Sequence, residues 1–457
     1  MNPLPCKPRE PNRRDVLRIG GLAGAQLGLA GLFQTQAQGR AEGTFGRAKR
    51  VIMLFLHGGH PQQETFDPKP AGPGDVRGEF GAISTKIPGI QFSELLPRCA
   101  AIAEKIAVIR SVSHGNSNHV QACLPAQTGH KHPESVQKMG DFPPSESDFP
   151  PVGAVLDHLR SSGSQLPGWV RVGPLMRRGN GTTLHGQTPG FLGRNHSSFA
   201  VDQSLRADDV EIEALKSPAG LDSVRLYQRF NLRQQFNALR SNLDTLATNQ
   251  TLDPYLEKAV TLLASPATQR AFDVAKEPKK VRERYGDTEF GQRCLLARRL
   301  VESGVPMVNV SYCHTPSGSW DTHNNHFNRM KDKLAPDLDR AFTALVLDLE
   351  ARGMLNDTLV VVNAEFGRTP VINTKQGRDH WPFVYSLAFA GAGLQAGAVF
   401  GESDASAAYP LNHPRGPADV ATTIYHLLGV PAETVIYDQA DRPHQLMVGR
   451  AITELLA

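Results

Sequence analysis

The sequence predicts an α/β fold with a mostly parallel central sheet, and three observations lead to that prediction. Short apolar runs rich in β-branched residues, at 49–56, 307–312 and 358–363, are typical of strands buried on both faces of a sheet. Longer segments with helical spacing separate these runs, as expected for parallel strands joined by helices. The runs give way to glycine and polar residues at their carboxyl ends, where ligands bind in open α/β sheets.

The remaining elements follow in chain order. Further strands are predicted at residues 106–111, 168–172 and 383–390. Helical spacing predicts helices at residues 95–105, 152–161, 221–249, 256–265, 266–275, 290–303, 327–352 and 418–428. Pro336 predicts an irregularity in the helix at 327–352, and Gly353 fits the end of that helix. Residues 174–220 are rich in Gly and Pro without a clear period, so we expect a loop-rich insertion there.

Composition narrows the function classes. The chain has 457 residues, 42 of them Gly and 33 Pro, and we expect a single domain over residues 45–455. The formal charge is only +4, and no run of Lys and Arg is present. A nucleic-acid-binding surface is therefore not expected.

The amino terminus has the features of a targeting segment. Arg13 and Arg14 precede a weakly apolar, Gly/Ala-rich run at residues 19–33, and Thr35, Gln36 and Ala37 offer a cleavage site. This pattern predicts a twin-arginine (Tat) signal and linker over residues 1–40, read by the Tat export machinery. The run of about 15 residues is short for a transmembrane span, so none is expected in the mature chain. An uncleaved anchor and a disordered basic leader are the alternatives.

The five cysteines are widely scattered and contain no CxxC pair, which excludes a zinc ribbon. One of them lies in the leader. Their scatter favours buried thiols over a disulfide framework, although one bridge remains open in an oxidising compartment.

Four polar clusters, at residues 57–67, 114–130, 321–326 and 365–380, each follow a predicted strand. If these strands share one sheet, the clusters converge at its carboxyl edge. Mixed carboxylates and imidazoles suit a divalent ion such as Zn, Mn, Fe or Ca. The candidate ligands are His57, Asp321, His323, Glu365, Asp379 and His380. Arg368 and Arg378 are candidates for a bidentate fork that binds a phosphate or sulfate group. Each histidine also has a simpler interpretation, as a solvated or capping residue.

Several ordered motifs resemble one bacterial family of exported, sulfatase-like proteins related to the alkaline phosphatase superfamily. They are the Tat leader, Phe-Asp-Pro-Lys-Pro at 66–70, Trp-Asp-Thr-His at 320–323, Glu-Phe-Gly-Arg-Thr-Pro at 365–370 and Gly-Arg-Asp-His-Trp-Pro at 377–382. The resemblance implies an alkaline-phosphatase-like three-layer α/β/α sandwich with metals at the carboxyl edge of the sheet. It also implies that Asp321 and His323 form an aspartate–histidine metal pair and that His380 is the late metal-binding histidine.

The sequence departs from the superfamily pattern at two places. His57 stands where an aspartate usually ends the first strand. The sulfatase signature Cys-x-Pro-x-Arg is replaced by Cys123-Leu-Pro-Ala-Gln, so formylglycine chemistry is not expected. The candidate nucleophiles are then Ser117, His119, Cys123 and Thr128, and the alternative is that none of them is a nucleophile.

Two functions are compatible with these features. The first is a metal-dependent hydrolase of phosphate or sulfate esters, acting in the periplasm or cell envelope. The second is a non-catalytic exported binding protein on the same fold, which captures a sulfated or anionic glycan or a partner protein. The missing aspartate and the missing nucleophile signature motivate the second.

Overall fold

The computed structural model describes residues 43–137, 140–160, 166–206, 212–215, 265–313 and 319–457. The predicted Tat segment, the helix at 221–249 and nearly all of the helix at 256–265 lie outside these ranges.

An eight-stranded sheet forms the centre of the described structure. In chain order its strands are β1 (Arg50–Phe55), β2 (Ile106–Val112), β3 (Trp169–Val172), β4 (Phe199–Val201), β5 (Met307–Ser311), β6 (Thr358–Asn363), β7 (Tyr385–Ala390) and β8 (Val399–Phe400). Their spatial order is β8-β2-β7-β6-β1-β5-β3-β4. Only β7 runs antiparallel to its neighbours in this sheet, so the predicted mostly parallel sheet is confirmed.

The helices flank this sheet. They are Gly74–Arg77, Pro97–Ala101, His119–Thr128, Glu134–Gln137, Val152–Leu159, Pro266–Phe272, Lys279–Tyr285, Glu289–Glu302, His326–Arg329, Ala335–Ala351 and Pro417–Leu427, which we number α1 to α11. Among the described residues, four small two-stranded ribbons pair Ala82–Ser84 with Gln91–Ser93, Gly367–Arg368 with His380–Trp381, Glu402–Ser403 with Pro410–Asn412, and Val435–Tyr437 with Pro443–Gln445.

Two hydrophobic cores lie on opposite faces of the sheet. Alternate residues of β1 enter different cores, because successive side chains of a strand point to opposite faces. Ile52 and Leu54 join the core that also contains the apolar residues of α8 and α10. Val51 and Met53 join the core that contains those of α5 and α11. The result is a three-layer α/β/α arrangement, as predicted.

The structure adds detail to two predicted segments. The region at 174–220 was predicted to be a loop-rich insertion, and within it Phe199–Val201 adds an edge strand to the main sheet. The irregularity predicted in the helix at 327–352 is confirmed, since a turn of π-helix at Met330–Leu334 ends two residues before Pro336. Proline lacks the backbone N–H that a regular helix needs, which accounts for an irregularity at this point.

Cys99, Cys123, Cys294 and Cys313 are buried thiols, as the sequence predicted. Within the described ranges, none of the helices has the length and apolar composition that crossing a membrane requires.

Replacing Leu345 of α10 with alanine is expected to lower the free energy of unfolding by about 2–5 kcal/mol. Leu345 is fully buried between its helix and the sheet, so truncation leaves a cavity. Thermal or denaturant unfolding measures the loss. Leu411→Ala is the control, since Leu411 is 63% exposed, and equal effects of both changes would contradict the packing described here.

Candidate metal centre

Strands β1, β2, β5 and β6 point in one direction, so their carboxyl ends lie at the same edge of the sheet. The polar clusters that follow these four strands meet there, as the sequence analysis expected. At this edge Tyr312 N donates to Phe55 O and Trp320 N donates to His57 O, which joins the exits of β1 and β5.

One group of candidate ligands centres on the carboxylate of Asp321. Its Oδ1 lies 3.0 Å from His323 Nε2 and 3.0 Å from His380 Nε2. The two imidazole nitrogens are themselves 3.0 Å apart. Three ligand atoms of the types that bind zinc and related ions therefore face one small space.

The outer nitrogens of both imidazoles are also engaged. His323 Nδ1 lies 2.5 Å from Asp379 Oδ1, and His380 Nδ1 lies 2.7 Å from the carbonyl oxygen of Ser117. A carbonyl can only accept, so Nδ1 of His380 carries its hydrogen. This is the arrangement found around metal-binding histidines, whose second N–H donates to a carboxylate or a carbonyl. Asp379 thus lies behind His323 and orients it, which differs from its predicted role as a direct ligand.

The electrostatics of this group favour a cation. Burial, together with the charges of His119 and Arg368, lowers the pKa of His380 to about 4, so its ring is neutral near pH 7. Its Nε2 lone pair then faces the Asp321 oxygen. Hydrogen bonds to Asp321 and Asp379 raise the pKa of His323.

A second group of candidate ligands adjoins the first and consists of His57, His119 and Glu365. Their ligand atoms all lie within 4.8 Å of one another. The ligand atoms of His119, Asp321 and His380 also lie within 4.8 Å of one another, so His119 links the two groups. Glu365 Oε1 accepts hydrogen bonds from Gly58 N at 2.8 Å and from His119 Nδ1 at 2.7 Å. Its Oε2 is buried and has no hydrogen-bond partner. An unpaired buried carboxylate oxygen is costly, so this oxygen also points to a cation.

The pKa values of the three side chains in the second group depend on both burial and neighbouring groups. It lowers the pKa of His57 to about 4. Burial alone would also lower the pKa of His119, but hydrogen bonds to Asp321 and Glu365 raise it. Burial alone would raise the pKa of Glu365, but the hydrogen bond from His119 and the nearby imidazole charges lower it. Glu365 is therefore ionised at neutral pH.

Two glycines permit this close packing. Gly58 has φ +110°, and a Cβ at this position would overlap the backbone of Asp321. A Cβ on Gly377 would overlap the backbone carbonyl of His323. Side chains at these positions would push the Asp321–His323 segment away from the other strand exits.

The two predicted anion-binding arginines have other roles in the structure. Arg378 is fully buried, and its five N–H groups reach Glu64 and the carbonyl oxygens of Val76, Thr369 and Pro370. It has no donor left for a substrate, so its prediction as an anion fork is corrected.

Arg368 is also fully buried, and it holds the loops around the site together. It donates to the carbonyl oxygens of Gly58, Gly59 and Arg378, and its Nη2 lies 2.8 Å from Asp321 Oδ1. These contacts make Arg368 a positioning residue for Asp321, and the fork predicted from the sequence is again corrected.

The candidate nucleophiles divide into two pairs. Cys123 is buried, which raises the pKa of its thiol well above the usual value, and the Thr128 hydroxyl donates to Leu124 O within its own helix. Neither is placed for attack on a substrate. His119 begins α3 inside the cluster, and Ser117 is exposed two residues earlier.

A buried support that was not predicted from the sequence lies behind the site. Glu64 Oε1 accepts from Arg378, and Glu64 Oε2 lies 3.4 Å from His326 Nε2. Asn373 donates to the His323 carbonyl and to Asp379. His326 has the sequence features of a residue at a solvated helix start, and only the tertiary fold shows that it is buried.

The chain belongs to the family described as "Protein of unknown function (DUF1501)", whose model matches residues 48–456. No curated protein matches the sequence significantly.

Solved structures with a similar chain course include three bacterial proteins. A protein in the alkaline phosphatase superfamily from Vibrio parahaemolyticus is 13% identical, with 90% of this chain and 71% of that chain covered and a TM-score of 0.39. A sulfatase from Pseudoalteromonas sp. is 14% identical, with 92% and 76% covered and a TM-score of 0.41. A phosphonate monoester hydrolase from Silicibacter pomeroyi is 10% identical, with 89% and 76% covered and a TM-score of 0.39.

Glu64→Gln is expected to lower the free energy of unfolding by about 3 kcal/mol at neutral pH, because it leaves the guanidinium of Arg378 buried without a carboxylate. Burial alone would raise the pKa of Glu64, but the charge of Arg378 lowers it below the unfolded value. The stabilisation is therefore complete above about pH 4.3 and is lost as the pH falls below that value.

Denaturant unfolding at neutral and acidic pH measures both effects. The wild type should lose more stability on acidification than Glu64→Gln. The control is Glu79→Gln, at an exposed position on the same segment. Equal stability of the two variants at neutral pH would rule out the proposed support role of Glu64.

Proposed function

We propose that this protein is a metal-dependent hydrolase of phosphate or sulfate esters. The observation that carries the proposal is the meeting of His323 Nε2, His380 Nε2 and Asp321 Oδ1 at mutual distances of 3.0 Å. With both outer imidazole nitrogens engaged, these three atoms present electron pairs to a common point, which favours a cation there. The family resemblance of the surrounding motifs points to the same chemistry.

The donor set suits Zn, Mn or Fe better than a thiolate-preferring ion, and the second group adds the unpaired oxygen of Glu365. Asp321, His323 and His380 would hold one ion, and His57 and Glu365 would face a second, with His119 beside them. A bound ion would polarise the ester and neutralise charge that develops on its oxygens.

We propose that His119 acts as the general acid that protonates the leaving oxygen. Glu365 fixes its Nδ1, and its Nε2 lies 3.4 Å from Asp321 Oδ2, at the boundary of the two ligand groups. In ester hydrolysis a water oxygen bonds to phosphorus or sulfur while the bond to the ester oxygen breaks. The departing oxygen takes a proton from the donor, and the proton that the water loses restores that donor. His119 Nε2 is placed to supply that proton, and its raised pKa keeps the proton available near neutral pH.

The rim of the site favours an ester carried on a sugar. Trp381 follows His380 directly, and its ring centroid lies 4.9 Å from that of Phe383 and 5.8 Å from that of Tyr409. Phe383 is 39% exposed and Tyr409 is 52% exposed. The indole is held in place by a hydrogen bond from its Nε1 to Ala408 O. Exposed, oriented aromatic rings beside a candidate active site suit the apolar face of a sugar ring.

The position of Cys123 and Thr128 favours a second candidate, a non-catalytic protein that captures an anionic glycan or a partner. Neither side chain can attack a substrate, which leaves the site without a conventional nucleophile other than Ser117 or His119. This reading predicts binding of a sulfated glycan with no release of sulfate.

We further propose that the protein acts outside the cytoplasm, on the basis of the paired arginines at positions 13 and 14. Recovery of the mature protein only in the cytoplasmic fraction of its cells would count against this location.

Asp321→Asn is expected to lower bound metal and to reduce turnover of p-nitrophenyl phosphate or p-nitrophenyl sulfate by more than about 100-fold. Replacing a residue that only hydrogen-bonds to a metal ligand already lowers metal affinity or activity by about 10- to 100-fold. Asp321 contacts both histidines directly, so the loss of activity should be larger. Elemental analysis and a chromogenic assay on purified protein measure the two effects.

Asp287→Asn is the matched control, because the Asp287 side chain is 79% exposed. Metal-free wild type that retained full turnover would exclude the metal-dependent reaction. Glycan binding without any ester cleavage would support the binding-protein alternative.

Tyr409→Ala is expected to raise KM for a sulfated or phosphorylated oligosaccharide about threefold to tenfold, the equivalent of about 0.5–1.5 kcal/mol for one aromatic contact. The kcat for a small aryl ester should not change, because Tyr409 does not contact the candidate ligands. Leu411→Ala, at the neighbouring exposed apolar residue, is the control. An unchanged KM for the oligosaccharide would remove the argument for a sugar substrate.

A further inference from the structure

A second cluster of ligand-type side chains lies apart from the candidate metal centre and shares no residue with it. His132, Asp148 and His185 are all buried, and their ligand atoms lie within 4.8 Å of one another. The two imidazole rings meet edge to face, with centroids 4.5 Å apart.

Both imidazoles of this cluster are held by the backbone. His185 Nε2 lies 3.0 Å from the carbonyl oxygen of Phe142, so that nitrogen carries a hydrogen and donates it. His132 is hydrogen-bonded to the backbone of Val120. A ring whose second nitrogen donates to a carbonyl is typical of a metal-binding histidine, because the hydrogen bond fixes both the tautomer and the direction of the ring.

Asp148 supplies the acidic member of the cluster. Its Oδ2 lies 2.5 Å from His185 Nδ1, and its Oδ1 lies 3.1 Å from Ser145 Oγ. The Asp148 carbonyl accepts from Phe191 N at 3.1 Å. One carboxylate and two imidazoles, each fixed by a neighbour, form the kind of donor set that suits zinc.

The ligands come from two irregular segments of the chain. His132 and Asp148 lie in the segment after α3, where the only regular element described is the four-residue α4. His185 lies in the segment after β3, where Arg177 and Thr183 form an isolated bridge and Gln187 donates to the carbonyls of Met176 and Leu184. Segments with so little regular hydrogen bonding gain most from a cross-link, because a bound ion contributes its binding energy to the folded state alone.

We propose that His132, Asp148 and His185 bind a structural divalent ion of the zinc type, which joins the segment after α3 to the segment after β3. His132 also lines a pocket of about 320 Å³ together with His114, Lys131 and Gly416, and this pocket gives the ion a route to the site. The proposal is independent of ester hydrolysis, since it uses none of the residues assigned to that reaction.

The first test is elemental analysis of purified wild type and of Asp148→Asn, which keeps the shape of the side chain. The variant is expected to contain about one equivalent of zinc-type metal less than the wild type, because a single ligand set is lost. Its kcat for a p-nitrophenyl ester should remain within about twofold of wild type. His158→Gln, at an exposed histidine outside the cluster, is the matched control. Equal metal content in the wild type and in both variants would overturn the proposal and leave a hydrogen-bonded Asp–His pair.

A second test uses only proteins that retain this cluster, so it does not depend on the folding of Asp148→Asn. Removal of metal by a chelator should lower the melting temperature of the wild type and of Asp321→Asn, because both retain this cluster. Cobalt added back to Asp321→Asn should give the visible absorption of a four-coordinate ion. A chelator that leaves the melting temperature of Asp321→Asn unchanged, or cobalt that gives no such absorption, would also overturn the proposal.

Discussion

The candidate metal centre depends on one carboxylate, that of Asp321. Four side chains lie close to it: His119, His323, His380 and Arg368. Burial alone would raise the pKa of Asp321, but its contacts with the imidazoles of His119 and His323 and the charge of Arg368 lower it far below its usual range. The carboxylate stays ionised and therefore attracts positive charge. Because Arg368 is tied to backbone carbonyls, it fixes the position of Asp321 without competing for the space between the histidines.

The topology of the sheet explains why residues from four distant segments meet at this carboxylate. Parallel strands place their carboxyl ends at one edge, and β7 is the only antiparallel strand between β2 and β6. These features could be predicted from the sequence, because buried parallel strands have a distinctive apolar, β-branched composition. The strand predicted at 358–363 matches β6 at both ends. The polar clusters after four such strands then identify the edge, and the candidate ligands His57, Asp321, His323, Glu365 and His380 all lie there.

The roles of individual side chains within loops were beyond sequence analysis. Asp379 and His380 are adjacent in sequence, yet His380 faces Asp321 whereas Asp379 lies behind His323. Arg378 has the sequence features of an anion-binding arginine, and only the fold shows that Glu64 lies beside it. The cluster of His132, Asp148 and His185 left no sequence signal either, because its members come from segments without a period. In each case the role of the residue depends on the direction in which its side chain points. Long-range packing determines that direction, so the local sequence does not predict it.

The contrast between the two clusters follows from the elements that carry them. The candidate metal centre sits on strand exits, and its ligands are held by the buried Arg368, by Glu64 with Arg378 behind it, and by close glycine contacts at Gly58 and Gly377. Such a frame can keep ligands in place before an ion arrives, which suits a site whose ion takes part in a reaction. In the cluster of His132, Asp148 and His185, irregular segments supply all of the ligands, and single hydrogen bonds to neighbours orient them. The ion proposed there would therefore add more to the stability of its surroundings than an ion held between strand exits.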